Sequence, residues 1–375
     1  MKLIHTADLH LDSKMNRYFN DNKSKERRNE LLLTFQGLVD YAVKEKVEAI
    51  LIAGDLFDVP RISATARGAV LAAVKGHPDI VFYYLRGNHD ADSFIQEVLD
   101  REGKLPDNLK LFSKEWTSYE QAGRNGNHVV ITGAEADAEN NGKLVLSLSL
   151  DQNKVNIVTL HGQETETAGK KDAEVIPLRE YMNRGIDYLA LGHIHAPKLA
   201  KLDARGVYAY SGCLEGRGFD ECGERGFYLL TVENGKVEPS FVPFAQRNMW
   251  ELQVDVSSAT DSNGAVDCIH NALKTNGIQK KDCVKVILTG EVSLDAEFDE
   301  AFIAKALEED LYFVKVVSDT RPKVDYEGFA KDASLKGEYI RQIRAAVQDG
   351  RLSEEDAGEM IRLGIRILSG EEKLA

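Results

Sequence analysis

Five times before residue 196, a short apolar run ends in residues of the types that bind metal ions. Lys2-Leu3-Ile4-His5-Thr6 leads into Asp8-Leu9-His10, and Val47 to Ala53 leads into Gly54-Asp55-Leu56-Phe57-Asp58. Ile80 to Tyr84 leads into Leu85-Arg86-Gly87-Asn88-His89-Asp90. Val155 to Leu160 ends at His161-Gly162-Gln163, and Tyr188 to Leu191 ends at Gly192-His193-Ile194-His195. Runs this short and this apolar read as strands buried on both faces. Helical spacing separates the first three: Leu31, Leu32, Phe35, Leu38, Val39 and Ala42 within Arg28 to Lys44, and a second helix over Ser63 to Lys75. Strand–helix–strand–helix–strand order demands an α/β domain. In such domains the loops beyond the carboxyl ends of the strands gather the chemistry.

The rest of the chain extends this frame. After Asp90 a helix is expected over Asp92 to Asp100, then short strands at Leu109 to Phe112, His128 to Thr132 and Leu144 to Leu150. Val207 to Ser211, Gly226 to Val232 and Val237 to Val242 read as a closing meander. So many strands exceed one sheet. The economical arrangement is an α/β sandwich of two sheets packed face to face with helices outside (αββα), over residues 1–246. Residues 247–320 read as a small α+β domain, starting with the alternating strand Trp250 to Val256. Residues 321–375 read as a linker and a helix pair. The first helix carries a stripe of Leu335, Tyr339, Ile343 and Val347, Gly350 suits the turn, and Ser353 caps the second helix. The pair either packs on the preceding domain or docks a partner.

Charge and cysteine usage narrow the class. A net charge of −14 opposes coating nucleic acid by charge alone, but leaves room for local basic patches and bound cations. One patch is Lys14 to Arg28, with Lys14, Arg17, Lys23, Lys25, Arg27 and Arg28 against Asp21 and Glu26. It reads as a solvated surface or as a track for DNA phosphates. The four cysteines form no CxxC pair, which fits a reducing cytosol and not a cysteine zinc site. No apolar run of about 18 residues exists, so no membrane span is expected. Asp8 comes too early for a signal peptide, and a cytoplasmic location is expected.

The ligand types are Asp8, His10, Asp55, Asn88, His161, His193 and His195. Carboxylate, imidazole and amide together suit manganese, iron or zinc rather than calcium. Seven ligands exceed what one ion with an open position needs, and suit two ions. Asp55 is the natural bridge, because a carboxylate can hold two cations about 3.5–4 Å apart. His193 and His195 alternate across one residue, so each can serve a different ion. His5, His77, His128 and His270 lie outside the motifs and read as structural or surface residues.

These five segments resemble the motifs of the calcineurin-like metallophosphoesterase superfamily. His5 to Asp12, Gly54 to Asp58 and Gly212-Cys213-Leu214-Glu215 are similar to the bacterial SbcD nucleases and the related YhaO-like DNA exonucleases. Gly216-Arg217-Gly218-Phe219-Asp220-Glu221 looks closer to the YhaO-like branch. The resemblance implies one ion on Asp8, His10, Asp55 and His195, and another on Asp55, Asn88, His161 and His193, with Mn2+ as the usual activating ion. It implies His89 as general acid or phosphate contact, oriented by Asp58. Arg86 would touch phosphate or form a salt bridge elsewhere, and Asp90 would brace its turn. It implies a DNA double-strand exonuclease with single-strand endonuclease activity in repair. The small domain matches a capping domain, and the terminal helix pair matches the element that docks on the SMC-like ATPase SbcC. A homodimer through helices near the N-terminal motifs is also compatible. The competing classes are a phosphoesterase for a small-molecule or protein phosphate ester, and a scaffold that has kept the fold without catalysis.

Overall fold

Alternation along the central strands builds two cores at once. In the computed structural model, described for residues 1–58, 62–90, 93–137, 139–165, 175–324 and 326–369, strand Lys2–Thr6 turns Ile4 outward and Leu3 inward. Strand Ala49–Ala53 does the same with Ile50 and Ile52 against Ala49 and Leu51, and Val81–Leu85 with Phe82 and Tyr84 against Tyr83 and Leu85. The outward set packs under helices Asp21–Lys44 and Ala64–Gly76, through Leu31, Phe35, Leu38, Val39, Val70 and Val74. Phe35 is fully buried there, and its truncation to alanine would cost about 3–5 kcal/mol. Asn20 and Ser63 cap the two helices by accepting the amides of Lys23 and Ala66.

The inward set meets a second sheet. The first sheet runs Lys236–Pro243, Gly226–Glu233, Lys2–Thr6, Ala49–Ala53, Val81–Leu85, Leu109–Leu111, and its last four strands are parallel. The second runs Lys198–Lys201, Val207–Tyr210, Tyr188–Gly192, Val155–His161, His128–Gly133, Thr117–Ala122, with four parallel strands inside two antiparallel edges. Leu3, Leu51, Tyr83 and Leu85 pack against Ile131, Ile157, Tyr188 and Ala190 between the sheets. Val158, Leu160, Leu189 and Leu191 face the other way, onto Leu144, Val145, Leu148 and Tyr181. The result is the expected α/β sandwich of two sheets.

Three local expectations differ. Leu144 to Leu150 is not a strand, because helix Asn141–Ser147 forms there and buries Leu144 and Val145 while Leu146 is 79% exposed. The expected meander is split: Val207–Tyr210 joins the second sheet, and the Gly226–Glu233 hairpin joins the first. The helix expected from Asp92 covers Ser93–Glu102, and Asp92 itself lies outside the described residues.

The chain divides into two compact units, Met1–Asn248 and Met249–Ala375. In the second, strands Met249–Asp255, Cys283–Thr289 and Phe313–Ser318 form a parallel sheet with Cys283–Thr289 central. Helices Ser262–Thr275 and Glu300–Ala306 contribute Ala265, Ile269 and Ile303 to its core. Helices Leu335–Gln348 and Glu354–Ser369 pair through Ile340, Ile343, Ala357, Ile361 and Ile365, with Leu294 and Val324 against the same cluster. Ser353 accepts the amide of Asp356, and Gly350 adopts φ +69° at the turn. Leu335, expected in the buried stripe, is 70% exposed. Among the described residues no helix is long and apolar enough to cross a membrane.

Candidate metal centre

The carboxyl ends of the parallel strands of both sheets supply the predicted ligands. Asp8 and His10 follow Lys2–Thr6, Asp55 follows Ala49–Ala53, and Asn88 follows Val81–Leu85. His161 ends Val155–His161, and His193 and His195 follow Tyr188–Gly192. Backbone hydrogen bonds lock the loops together: Asp8 N to Gly54 O at 3.0 Å, His10 N to Asp55 O at 3.0 Å, and Leu11 N to Leu56 O at 2.9 Å. The sheets are joined at the site by His193 N–H donating to Asp8 Oδ1 (3.0 Å) and by His161 Nδ1 against Ala53 O (2.9 Å). Gly192 is required by this closeness, since a Cβ there would lie 2.0 Å from Ala53 O. Four predicted ligands hold left-handed backbone, with φ of 52° at Asp8, 45° at His10, 53° at Asp55 and 100° at His193. Non-glycine residues hold such angles at a cost of order 1–3 kcal/mol each, and they cluster at functional sites.

The donor atoms gather around Asp55. His10 Nε2 lies 3.2 Å from His195 Nε2 and 3.7 Å from Asp55 Oδ2, and His195 Nε2 lies 3.9 Å from Asp8 Oδ1. On the other side, His161 Nε2 lies 3.4 Å from Asp55 Oδ2 and 3.0 Å from Asn88 Oδ1. Asp8, His10 and His195 place one donor each within 4.8 Å of one another, as do Asp8, Asp55 and His161. Ligand bonds of about 2.1 Å put donors about 3–3.5 Å apart, so the set fits cations. The His193 ring stands 5.4 Å from that of His161, outside these two groups.

Each histidine turned inward through Nε2 has an acceptor behind its Nδ1. His161 uses Ala53 O, His10 uses Asp58 Oδ1 at 3.1 Å, and His195 uses Glu221 Oε1 at 2.7 Å. Such an acceptor fixes ring orientation and leaves Nε2 as the ligand atom. Burial lowers the His10 pKa, which favours the neutral imidazole a metal needs. Burial also opposes charge on His161, but the hydrogen bond and charge of Asp55 outweigh it and raise its pKa to about 9. Asp55 is correspondingly held well below the carboxylate range. Without a cation, therefore, a proton on His161 offsets the charge of Asp55.

His89 and Asp58 lie at the rim. His89 is half exposed, its Nδ1 is 3.3 Å from Asp58 Oδ1, and its own N–H donates to Asp55 Oδ1 at 3.0 Å. Asp58 thus stands behind both His10 and His89. Asp90 braces the turn: it accepts the amides of Leu56 (3.2 Å), Phe57 (2.9 Å) and Gly87 (3.0 Å), tying two ligand loops together. Its burial raises its pKa to about 6, against the pull of those amides.

The expected DNA track needs correction. Arg27 is fully buried, paired with Glu30 and, through Nη2, with Glu215 Oε2 (3.2 Å) and Gly216 O (2.7 Å), so it cannot reach phosphate. Arg86 forms the salt bridge alternative, with Glu135 at 2.7 and 2.5 Å. Lys25 is exposed, and Lys23 and Arg28 are partly exposed, on the first turns of helix Asp21–Lys44. Sequence reasoning missed Glu221 as the partner of His195. Its signal was weak: an acid four residues after Arg217, in the loop beyond strand Val207–Tyr210.

The family model for calcineurin-like phosphoesterases matches residues 1–197. The chain is similar to the uncharacterized metallophosphoesterase YhaO of Bacillus subtilis, 27% identical over 304 residues, covering 77% of this chain and 72% of that protein. It is similar to the DNA double-strand break repair protein Mre11 of Aeropyrum pernix, 26% identical over 321 residues, covering 80% and 75%. It is also similar to the SbcD subunit of the nuclease SbcCD of Staphylococcus epidermidis, 25% identical over 291 residues, covering 68% and 72%. With more than half of the chain matched and most of the predicted ligands gathered at the strand ends of a double sheet, this protein belongs to the calcineurin-like phosphoesterase family.

Proposed function

We propose that this chain is a DNA nuclease that hydrolyses phosphodiesters at a centre for two divalent cations, with manganese the activating ion. In this reading it is a double-strand exonuclease and single-strand endonuclease, works in DNA repair in the cytoplasm, and partners an SMC-like coiled-coil ATPase. The observation that carries it is the gathering of donor atoms on both sides of Asp55, with half-exposed His89 beside them. The names of the Mre11 and SbcCD relatives support the choice of DNA.

One ion would be held by Asp8, His10, Asp55 and His195, and the other by Asp55, Asn88, His161 and His193. Bound there, such ions would acidify water, hold phosphate oxygens and offset charge in an in-line displacement. Asp55 keeps its charge because His161 and His10 face it. His89 reaches solvent and offers its Nε2 proton to the leaving oxygen, while the Asp58 carboxylate, 3.3 Å from Nδ1, pairs with the ring from behind. Lys23, Lys25 and Arg28 would meet backbone phosphates away from the cut.

His89→Ala tests the assignment. The variant should lose cleavage of linear duplex DNA by about 10²–10⁴-fold while Mn2+ binding stays at the wild-type level. Cleavage at the wild-type rate would remove His89 from the mechanism. The docking reading rests on the helix pair and on exposed Leu335, Met360 and Leu363. Deleting residues 332–375 should abolish co-purification with a coiled-coil ATPase and preserve basal nuclease activity. Retained co-purification would sink it.

A further inference from the structure

A sixth loop, outside the five ligand segments, stands behind the centre. Glu221 is 4% exposed, and its carboxylate turns toward the site. Its Oε1 accepts from His195 Nδ1 at 2.7 Å and from Arg217 Nη2 at 2.9 Å. Its Oε2 accepts the Arg217 backbone N–H at 2.6 Å. Arg217 Nη1 continues to Asp58 Oδ2 at 3.5 Å, and Asp58 stands behind His10 and His89. The same loop grips the His195 backbone, through Cys213 N–H donating to His195 O at 3.1 Å.

Stability alone is a poor reason for this arrangement. Taking a carboxylate and a guanidinium out of water costs several kcal/mol per ion in general, and apolar replacements of similar volume are often as stable. Geometry gives a better one. With Glu221 accepting from Nδ1, the His195 ring can present only Nε2 to the centre, and that atom lies 3.2 Å from His10 Nε2. Asp58 does the same for His10. Arg217 spans the two carboxylates, so the two imidazoles are set as one unit.

We propose that Glu221 and Arg217 are positioning residues of the metal centre: Glu221 fixes the ring and tautomer of His195, and Arg217 couples Glu221 to Asp58. The proposal rests on reading the centre as a metal site, and it gives the Arg217–Glu221 segment a role that motif matching left blank. The test is calorimetric titration of metal-free wild type, Glu221→Gln, Glu221→Ala, Arg217→Lys and Arg217→Ala with Mn2+, beside their metal-free melting temperatures. Glu221→Ala should weaken one of two Mn2+ affinities by about 10–100-fold, as loss of a partner behind a ligand does. Glu221→Gln keeps an acceptor of the same size and should lose less, and Arg217→Lys should recover part of what Arg217→Ala loses. The Mn2+ concentration for half-maximal phosphodiesterase activity should rise more than the plateau falls. Unchanged Mn2+ affinity in Glu221→Ala and Glu221→Gln overturns the proposal, whatever happens to melting temperature. Wild type that binds no Mn2+ overturns the metal reading beneath it, a different and separable result.

Discussion

Gly87→Ala puts the closeness of the centre to a quantitative test. Gly87 does not hold a positive φ, so alanine brings no left-handed strain and the change is chiefly an added methyl group. That Cβ would stand 2.1 Å from Asp55 Oδ1 and 2.7 Å from the Asp55 backbone nitrogen. Non-bonded heavy atoms settle at about 3.5 Å, so the carboxylate must retreat by more than about 1 Å. Metal–ligand distances tolerate about 0.2 Å, and a displacement of about 1 Å in a reacting constellation costs about 10²-fold. Asp55 faces the donors on both sides, so both ions should feel the change. Mn2+ affinity by calorimetry and phosphodiesterase activity should each fall about 100-fold or more. Overpacking costs about 1–3 kcal/mol, which in a unit of this size lowers the melting temperature by about 2–10 °C. Gly68→Ala is the control: its Cβ meets nothing within 4 Å in helix Ala64–Gly76, and it should be neutral or slightly stabilising. A Gly87→Ala protein with wild-type Mn2+ affinity would refute the placement of Asp55.

Other expectations follow from charge. His161 carries its proton up to pH about 9 in the metal-free centre, so a cation must displace it. Mn2+ affinity should therefore rise with pH by about tenfold per unit for each proton released, up to pH about 9, with proton release visible as a buffer-dependent enthalpy. The sign for stability is opposite. The folded His161 pKa lies above its unfolded value, so its contribution is full below about pH 6.5 and lost as pH rises through about 9. Metal-free melting temperature should fall across that window, and a flat profile would remove the Asp55–His161 interaction. Neutralising Lys23, Lys25 and Arg28 together should flatten the salt dependence of DNA binding by up to about 0.9 for each phosphate no longer neutralised. Arg27→Ala should instead destabilise the fold by about 3–5 kcal/mol, because it strands Glu30 and Glu215 in the interior. Weakened DNA binding by Arg27→Ala at unchanged stability would contradict its burial.

How much the sequence disclosed depends on how local each feature is. Ile50 and Leu51 are both apolar because both faces of strand Ala49–Ala53 are covered, so the strand and its polar end were legible together. Asp8, Asp55 and His161 announced themselves as ligand types at those ends. Leu144, Val145 and Leu148 were not decisive, since a short apolar run suits strand or helix alike. Arg27 was misread for a deeper reason. Its partner Glu215 is 188 residues away, and no charge count in a window shows that this arginine turns inward. Glu221 gave only a weak signal for the same reason, because its value lies in the 2.7 Å approach to His195. Leu335 followed the helical stripe but lies at the first turn and stays 70% exposed, outside the cluster that joins the two helices.

The central claim is that the strand-end centre cuts DNA with the help of divalent cations. The measurement that bears on it most directly is digestion of linear duplex, hairpin and single-stranded DNA by the purified full chain with Mn2+, with and without a chelator. Shortening of linear duplex and cutting of single strands, both abolished by the chelator and by His89→Ala, is the predicted result. Brisk hydrolysis of a small phosphomonoester with every DNA left intact would contradict it.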